Sequence, residues 1–270
     1  RRMTLAGVGL LALLAAGLAN RLRPSGPPPA ADPPAAGEAV GTAMDDPDAA
    51  RPTWTERERR RILGMSPLGP PPPNPTNRLA EDPDAAAFGQ RIFFDDRFAR
   101  GPALSCASCH EPDRWFTDGR PLPIGARPGE RNTPTVLDSA HQRWLFWDGR
   151  ADSLWAQAVS TFEDPKEYDS SRVHVVRQLA EDPVLRAAFE AAVGPLPGAA
   201  TLAALPPDAT PQRPPGHPWR DAWDGMTDEQ RTRVDVVFAG LGKALAAYQR
   251  TLATGPSPID QFVADLRAGG

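Results

Sequence analysis

The chain contains two cysteines, three residues apart, with a histidine directly after the second: Cys106-Ala107-Ser108-Cys109-His110. A disulfide between them would close a very tight ring, so the thiols do not form a folding staple and their use is chemical. Two thiols at this spacing on a helical turn can each form a thioether with one vinyl group of haem, and the following histidine then lies under the iron as axial ligand. A closed zinc site is the main competitor, but it needs four ligands; no further cysteine exists, and His141, His174 and His217 show no paired ligand spacing. A thioredoxin-like redox pair would be expected beside a strand and helix unit, which this sequence lacks. The motif specifies covalent haem c, held by Cys106 and Cys109 with His110 on its iron.

Organisation follows from composition. Arg1-Arg2 and the apolar run from Met3 to Ala19 have the order of an export signal. Residues 1–20 read equally as a signal peptide and as an N-terminal membrane anchor, and either places the body of the protein in the periplasm. Fourteen of the 33 prolines lie between Pro24 and Pro75, so residues 21–53 read as a stiff, disordered linker ahead of one domain at 54–270. The net charge of −4, with arginines scattered rather than gathered on a stripe, gives no reason to expect nucleic acid.

Within that domain helical signals dominate. A short charged helix is expected at 55–63, then helices at 84–94, 152–162, 170–180 and 183–193, a short turn across the cysteine motif, and a last helix after Pro258. The longest is expected at 227–252, where Val234, Phe238, Leu241, Leu245, Tyr248 and Leu252 make one continuous stripe. Residues 194–219 read as a proline-rich loop without periodicity. No run of alternating strands appears, so the fold class is all-α, a c-type cytochrome domain of short helices around haem. Simple electron carriers fill the sixth iron position with a downstream Met or His. Here Met3, Met44 and Met65 precede the motif and Met226 is far beyond it, which favours an open iron.

The stretches Phe88-Gly89-Gln90-Arg91-Ile92-Phe93-Phe94-Asp95, Phe116-Thr117-Asp118-Gly119, Arg131-Asn132-Thr133-Pro134-Thr135 and Phe146-Trp147-Asp148-Gly149-Arg150, with the cysteine motif and the segment Gly242-Lys243-Ala244-Leu245 onward, resemble the bacterial dihaem cytochrome c peroxidase family, which includes the MauG-like enzymes. With the segment from Pro70 to Arg78 they are similar to the MauG-like branch that contains the methanobactin-associated enzymes. The resemblance implies that Trp147 lies between two haems, that Gln157 and Glu167 are the distal glutamine and the distal acid, and that Asn132 is a calcium ligand. Trp115 and Phe116 read as haem-pocket packing rather than chemistry. A histidine that closes the resting iron in many family members is replaced here by Ala126, which fits the MauG-like branch. The family's second haem-binding cysteine pair lies in a C-terminal domain, so the chain reads as the N-terminal half of a dihaem enzyme, with a second haem and the remaining calcium ligands expected outside it.

On this reading Glu167 is the acid–base group for peroxide and Gln157 orients it by hydrogen bonding. Trp147, bulky and oxidisable, passes electrons, or packs among Trp144, Phe146 and Trp155; both roles can hold together. Three functions compete. The first is reduction of hydrogen peroxide with electrons from a small cytochrome or cupredoxin, the second is oxidation of a tryptophan or tyrosine on a partner protein, and the third is a monohaem electron-transfer module.

Overall fold

The structure is a computed structural model that describes residues 53–66 and 68–269. The expected export segment 1–20 and residues 21–52 of the expected linker lie outside the described residues. Two units divide at residue 60. The described part of the first is 53–60, where α1 (Glu56–Leu63) begins; Thr55 and Glu58 close its N-terminus by exchanging hydrogen bonds of 2.9 and 3.3 Å.

The second unit carries the remaining helices: α2 (Pro83–Phe93), α3 (Leu154–Glu163), α4 (Arg172–Glu181), α5 (Pro183–Ala192), α6 (Ala199–Ala203), α7 (Pro218–Asp224), α8 (Asp228–Arg250) and α9 (Pro258–Arg267). Short 3-10 turns lie at Cys106–Ser108, Pro112–Arg114 and Ser139–His141. Among the described residues there is no strand, only isolated bridge pairs such as Glu111 with Thr117. The fold is all-α. No helix of the described residues is long and apolar enough to cross a membrane.

α8 is the axis. Thr227 and Gln230 close its N-terminus as a capping box, and Val234, Phe238, Leu241, Leu245 and Tyr248 are buried along one stripe. The helix ends at Arg250, earlier than the stripe suggests, so Leu252 lies in the following turn. α2 and α3 pack on α8, and two glycines set how closely. A β-carbon at Gly89 of α2 would stand 2.0 Å from the Ala244 carbonyl oxygen, and one at Gly242 would stand 2.5 Å from Val159 Cγ1. Gly89→Ala should therefore destabilise the domain by about 1–3 kcal/mol or more through overpacking against backbone, outweighing the ~1 kcal/mol gain in helix propensity. A thermal melt that rises or stays unchanged would contradict this contact.

Residues 194–219 are more ordered than their sequence suggests. α6 lies within them and α7 starts at their end. The reason is tertiary. Leu202 and Leu205 are buried, and the Arg177 guanidinium of α4 donates to their carbonyl oxygens at 2.9 and 2.8 Å. The His217 imidazole caps α7 by accepting from Trp219 N at 3.1 Å.

Between α2 and α3 the chain runs for some sixty residues with no helix longer than a 3-10 turn. A stretch this long inside a packed domain is ordinarily functional. Many of its residues, from Leu104 to Asp148, line one cavity.

Candidate haem site

The Cys106–Ser108 turn begins the site. Ser105 N donates to Ser108 Oγ at 3.0 Å, and His110 N donates to Cys106 O at 2.8 Å, so both cysteines and the histidine sit on one tight coil. Neither thiol is in a disulfide, and burial pushes each up to about 11, so both are neutral thiols before attachment. Beyond His110, Trp115 and Phe116 both adopt left-handed backbone, at φ 57° each. Such residues cost of order 1–3 kcal/mol apiece. What they accomplish is geometric: the chain turns back so that the Phe116 carbonyl oxygen lies 3.0 Å from His110 Nδ1. With Nδ1 as the donor, Nε2 is the atom that would ligate a metal, and burial holds the ring below its usual pKa, in the neutral form a metal takes.

That turn also corrects one expectation. Trp115 does not pack the pocket; it is 75 % exposed, while Phe116 packs on Phe93, whose ring borders the site.

Every residue singled out as a ligand or catalytic group lines one cavity of about 480 Å³. On α3, Leu154, Gln157, Ala158 and Thr161 share the face turned to it, as helical spacing dictates. Gln157 Nε2 stands 3.5 Å from Thr161 Oγ1, and the Thr161 hydroxyl hydrogen-bonds the Glu167 carboxyl, making a short polar chain. Burial first, then the nearby Asp164 carboxylate, raises Glu167 above the usual glutamate range; the Thr161 bond and the Arg150 charge pull the other way.

Trp147 is 64 % exposed and Trp144 57 %, so neither belongs to a packed core. The Trp147 indole is fixed at one end, donating Nε1–H to Asn132 O at 2.7 Å. Asn132 Nδ2 donates to Arg120 O at 2.5 Å, and the atom a cation would take is the other one, Oδ1. Among the described residues no group of three or more His, Cys, Asp or Glu side chains could hold a metal ion.

Three features of the site are absent from the sequence reading. Tyr168, buried beside Glu167, points its hydroxyl at Cys106 Sγ, 3.4 Å away. Ala126, where the resemblance expects a histidine in many relatives, donates its N–H to Glu167 O at 2.7 Å, and Arg127 N donates to Lys166 O at 3.1 Å. Gly125 makes that pairing possible, because a β-carbon there would stand 2.3 Å from Lys166 O and 3.0 Å from Glu167 Cα. Gly125→Ala should therefore displace Glu167 and slow peroxide reactivity about tenfold or more while haem content stays at the parent level. An unchanged rate would show that the 125–127 segment does not set the position of Glu167. Composition marks Gly125 only as a glycine in a loop, so no sequence signal exposes this role.

The cavity fits haem: two thiols, an imidazole whose Nδ1 is held by the Phe116 carbonyl, and a half-buried carboxyl all line the same space.

Comparison with known proteins agrees. Residues 83–268 match the family model described as di-haem cytochrome c peroxidase. A methylamine utilization protein MauG from Methylophilus methylotrophus is 32 % identical over 183 residues, 67 % of this chain and 43 % of the relative. A cytochrome c551 peroxidase from Pseudomonas aeruginosa is 29 % identical over 178 residues, 65 % of this chain and 41 % of that protein. Among solved structures, a MauG-like protein associated with microbial copper homeostasis superposes with a TM-score of 0.51 at 22 % identity, covering 81 % of this chain and 51 % of the other. The likeness to that structure concerns the fold alone. The chain spans about two fifths of the length of these two curated relatives.

Proposed function

The chain belongs to the di-haem cytochrome c peroxidase family, and on that footing we propose that it is the peroxide-reacting haem domain of a periplasmic oxidoreductase that draws electrons from a small cytochrome or cupredoxin. The family implies covalently bound haem c; Cys106, Cys109 and His110 are the residues that would hold it. When bound, the haem supplies the iron and the electrons with which the peroxide O–O bond is broken. The chain moves the proton. Glu167, the half-buried carboxyl in the cavity, takes a proton from the near oxygen of peroxide and returns it to the departing oxygen, which leaves as water. Gln157, through Thr161, keeps the carboxyl and the incoming peroxide in line. His110, which lines the cavity, is held in one ring orientation by the Phe116 carbonyl.

The observation that carries this reading is Glu167 itself: half-buried, raised in pKa and held in the same cavity as the haem-attachment motif. As a base Glu167 must be ionised, so the peroxide rate should rise with pH through an inflection above the ordinary glutamate pKa of about 4.3. Stopped-flow rates from pH 4 to 9 test it. A flat profile, or an inflection at or below the ordinary value, would count against Glu167. The linked effect on stability has the opposite sense. The folded state holds the Glu167 proton to higher pH than the unfolded chain does, so its contribution to stability is lost as pH climbs from the unfolded pKa through the folded one.

A second reading is favoured by Trp147. An indole exposed over most of its surface, anchored at Nε1 and bordering the cavity, could carry oxidising equivalents out to a tryptophan or tyrosine on a partner protein. Ala126, standing where many relatives close the iron with histidine, fits the same reading. The second haem, and the calcium expected at Asn132, belong to this proposal for the whole protein.

A further inference from the structure

The hairpin that carries Glu167 is a turn between α3 and α4. Asp164 closes it from inside: its side chain accepts from Lys166 N at 2.8 Å, and its carbonyl oxygen accepts from Glu167 N at 3.2 Å and from Asp169 N at 2.9 Å. Asp169 ends the turn in left-handed backbone at φ 47°. Backbone joins the two ends of the turn, Ser170 N donating to Phe162 O at 3.0 Å, and one side chain spans them as well.

Arg213 comes from the proline-rich segment 194–219. It is 7 % exposed. One arm of its guanidinium donates to Glu163 O at 2.7 Å, and the other donates to Asp169 Oδ1 at 2.6 Å. Trp219 covers it, with the ring centre 5.1 Å away. Glu163 and Asp169 are the two ends of the turn and Glu167 lies between them, so a single rigid fork spans the hairpin. The same segment adds Thr210, whose hydroxyl donates to the Glu163 carboxylate, itself paired with Arg172 at 2.8 Å. On the other side, the 125–127 backbone pairs with Lys166 and Glu167. The carboxyl is thus held from two directions by parts of the chain far apart in sequence.

We propose that Arg213 is a positioning residue for Glu167, and that the proline-rich segment is therefore part of the site's machinery. The proposal rests on the reading of Glu167 as the acid–base group. It assigns Arg213 no contact with peroxide or haem. Its action is to keep the turn closed, so that the carboxyl sits at one place in the cavity instead of several.

The test uses the full chain with covalent haem. Hydrogen cyanide must lose its proton to bind ferric iron, so its association rate, followed by haem absorption across pH, reads the local base without turnover. Hydrogen exchange of amides 164–169, against those of α8, reads the turn directly. Arg213→Gln should slow cyanide association about tenfold, weaken its pH dependence, and speed exchange in 164–169 about tenfold, with α8 unchanged. Arg213→Lys, which keeps the charge but not the fork, should fall between that variant and the parent. If Arg213→Gln fails to fold, Asp169→Asn removes the charge on one arm and should shift both readouts in the same direction. A variant that melts earlier yet binds cyanide with the parent's rate and pH profile overturns the proposal, since Arg213 would then be structural only. Cyanide association that stays unchanged in Glu167→Gln as well would instead remove the acid–base reading. Exchange in 164–169 would still decide whether Arg213 holds the turn.

Discussion

Glu167→Gln should slow the reaction of the haem-loaded chain with peroxide by about 10² to 10⁴, the usual worth of general acid–base assistance, with haem content and melting temperature close to the parent's. The amide keeps the size of the carboxyl and can still accept from Thr161, so the pocket keeps its shape while losing its base. Losing this ionisable group should not destabilise the domain, since partial burial is what raises its carboxyl in the first place. The measurement is single-turnover, mixing ferric protein with peroxide and following the haem bands, because steady turnover would depend on whatever delivers electrons. Gln157→Ala should do less, since Gln157 reaches Glu167 only through Thr161, across a contact of 3.5 Å at the edge of hydrogen bonding. A Glu167→Gln protein as fast as the parent would take Glu167 out of the mechanism and leave electron transfer as the better account of this domain.

Replacing both Cys106 and Cys109 with alanine should abolish covalent haem altogether. The two sulfurs are the chain's only thiols, so no other residue can form the thioethers. Parent protein should keep its haem through denaturation and acid-acetone extraction and give a c-type pyridine haemochrome; the double variant should release any haem it holds. Each single variant should retain one thioether and show a haemochrome shifted toward one remaining vinyl group. Cys106 should matter more than Cys109 to the packing around the haem, because Tyr168 directs its hydroxyl at that sulfur and Cys106 packs against the main core. Haem that washes out of the parent would contradict the central assignment.

The helices were readable because their signals are local. Pro83 opens α2 with Asp82 accepting from Asp84 N and Ala85 N at 2.9 and 3.0 Å, and the buried positions of α8 recur at the helical period. Boundaries drifted by one or two residues where caps compete, as at α3, which starts at Leu154 although Asp152 precedes it. Trp115 departs from its expected place in the pocket because the backbone around it is loop at positive φ, and only loop geometry decides which way such a ring faces.

By itself the sequence determined the haem attachment, since two thiols and a histidine at that spacing need no distant partner to state their chemistry. It also determined the helical class and the long stripe of α8, which depend on periodicity within a few turns. Tertiary structure decided what surrounds the iron. The Phe116 carbonyl reaches His110 because two residues accept left-handed backbone, Glu167 is held by backbone from Ala126, and its turn is clamped by Arg213. These contacts join carbonyls and amides, which every residue carries, across loops without a period. A repeating pattern can reveal a buried face, but nothing in a pattern marks which of many identical backbone groups will meet when the loops close.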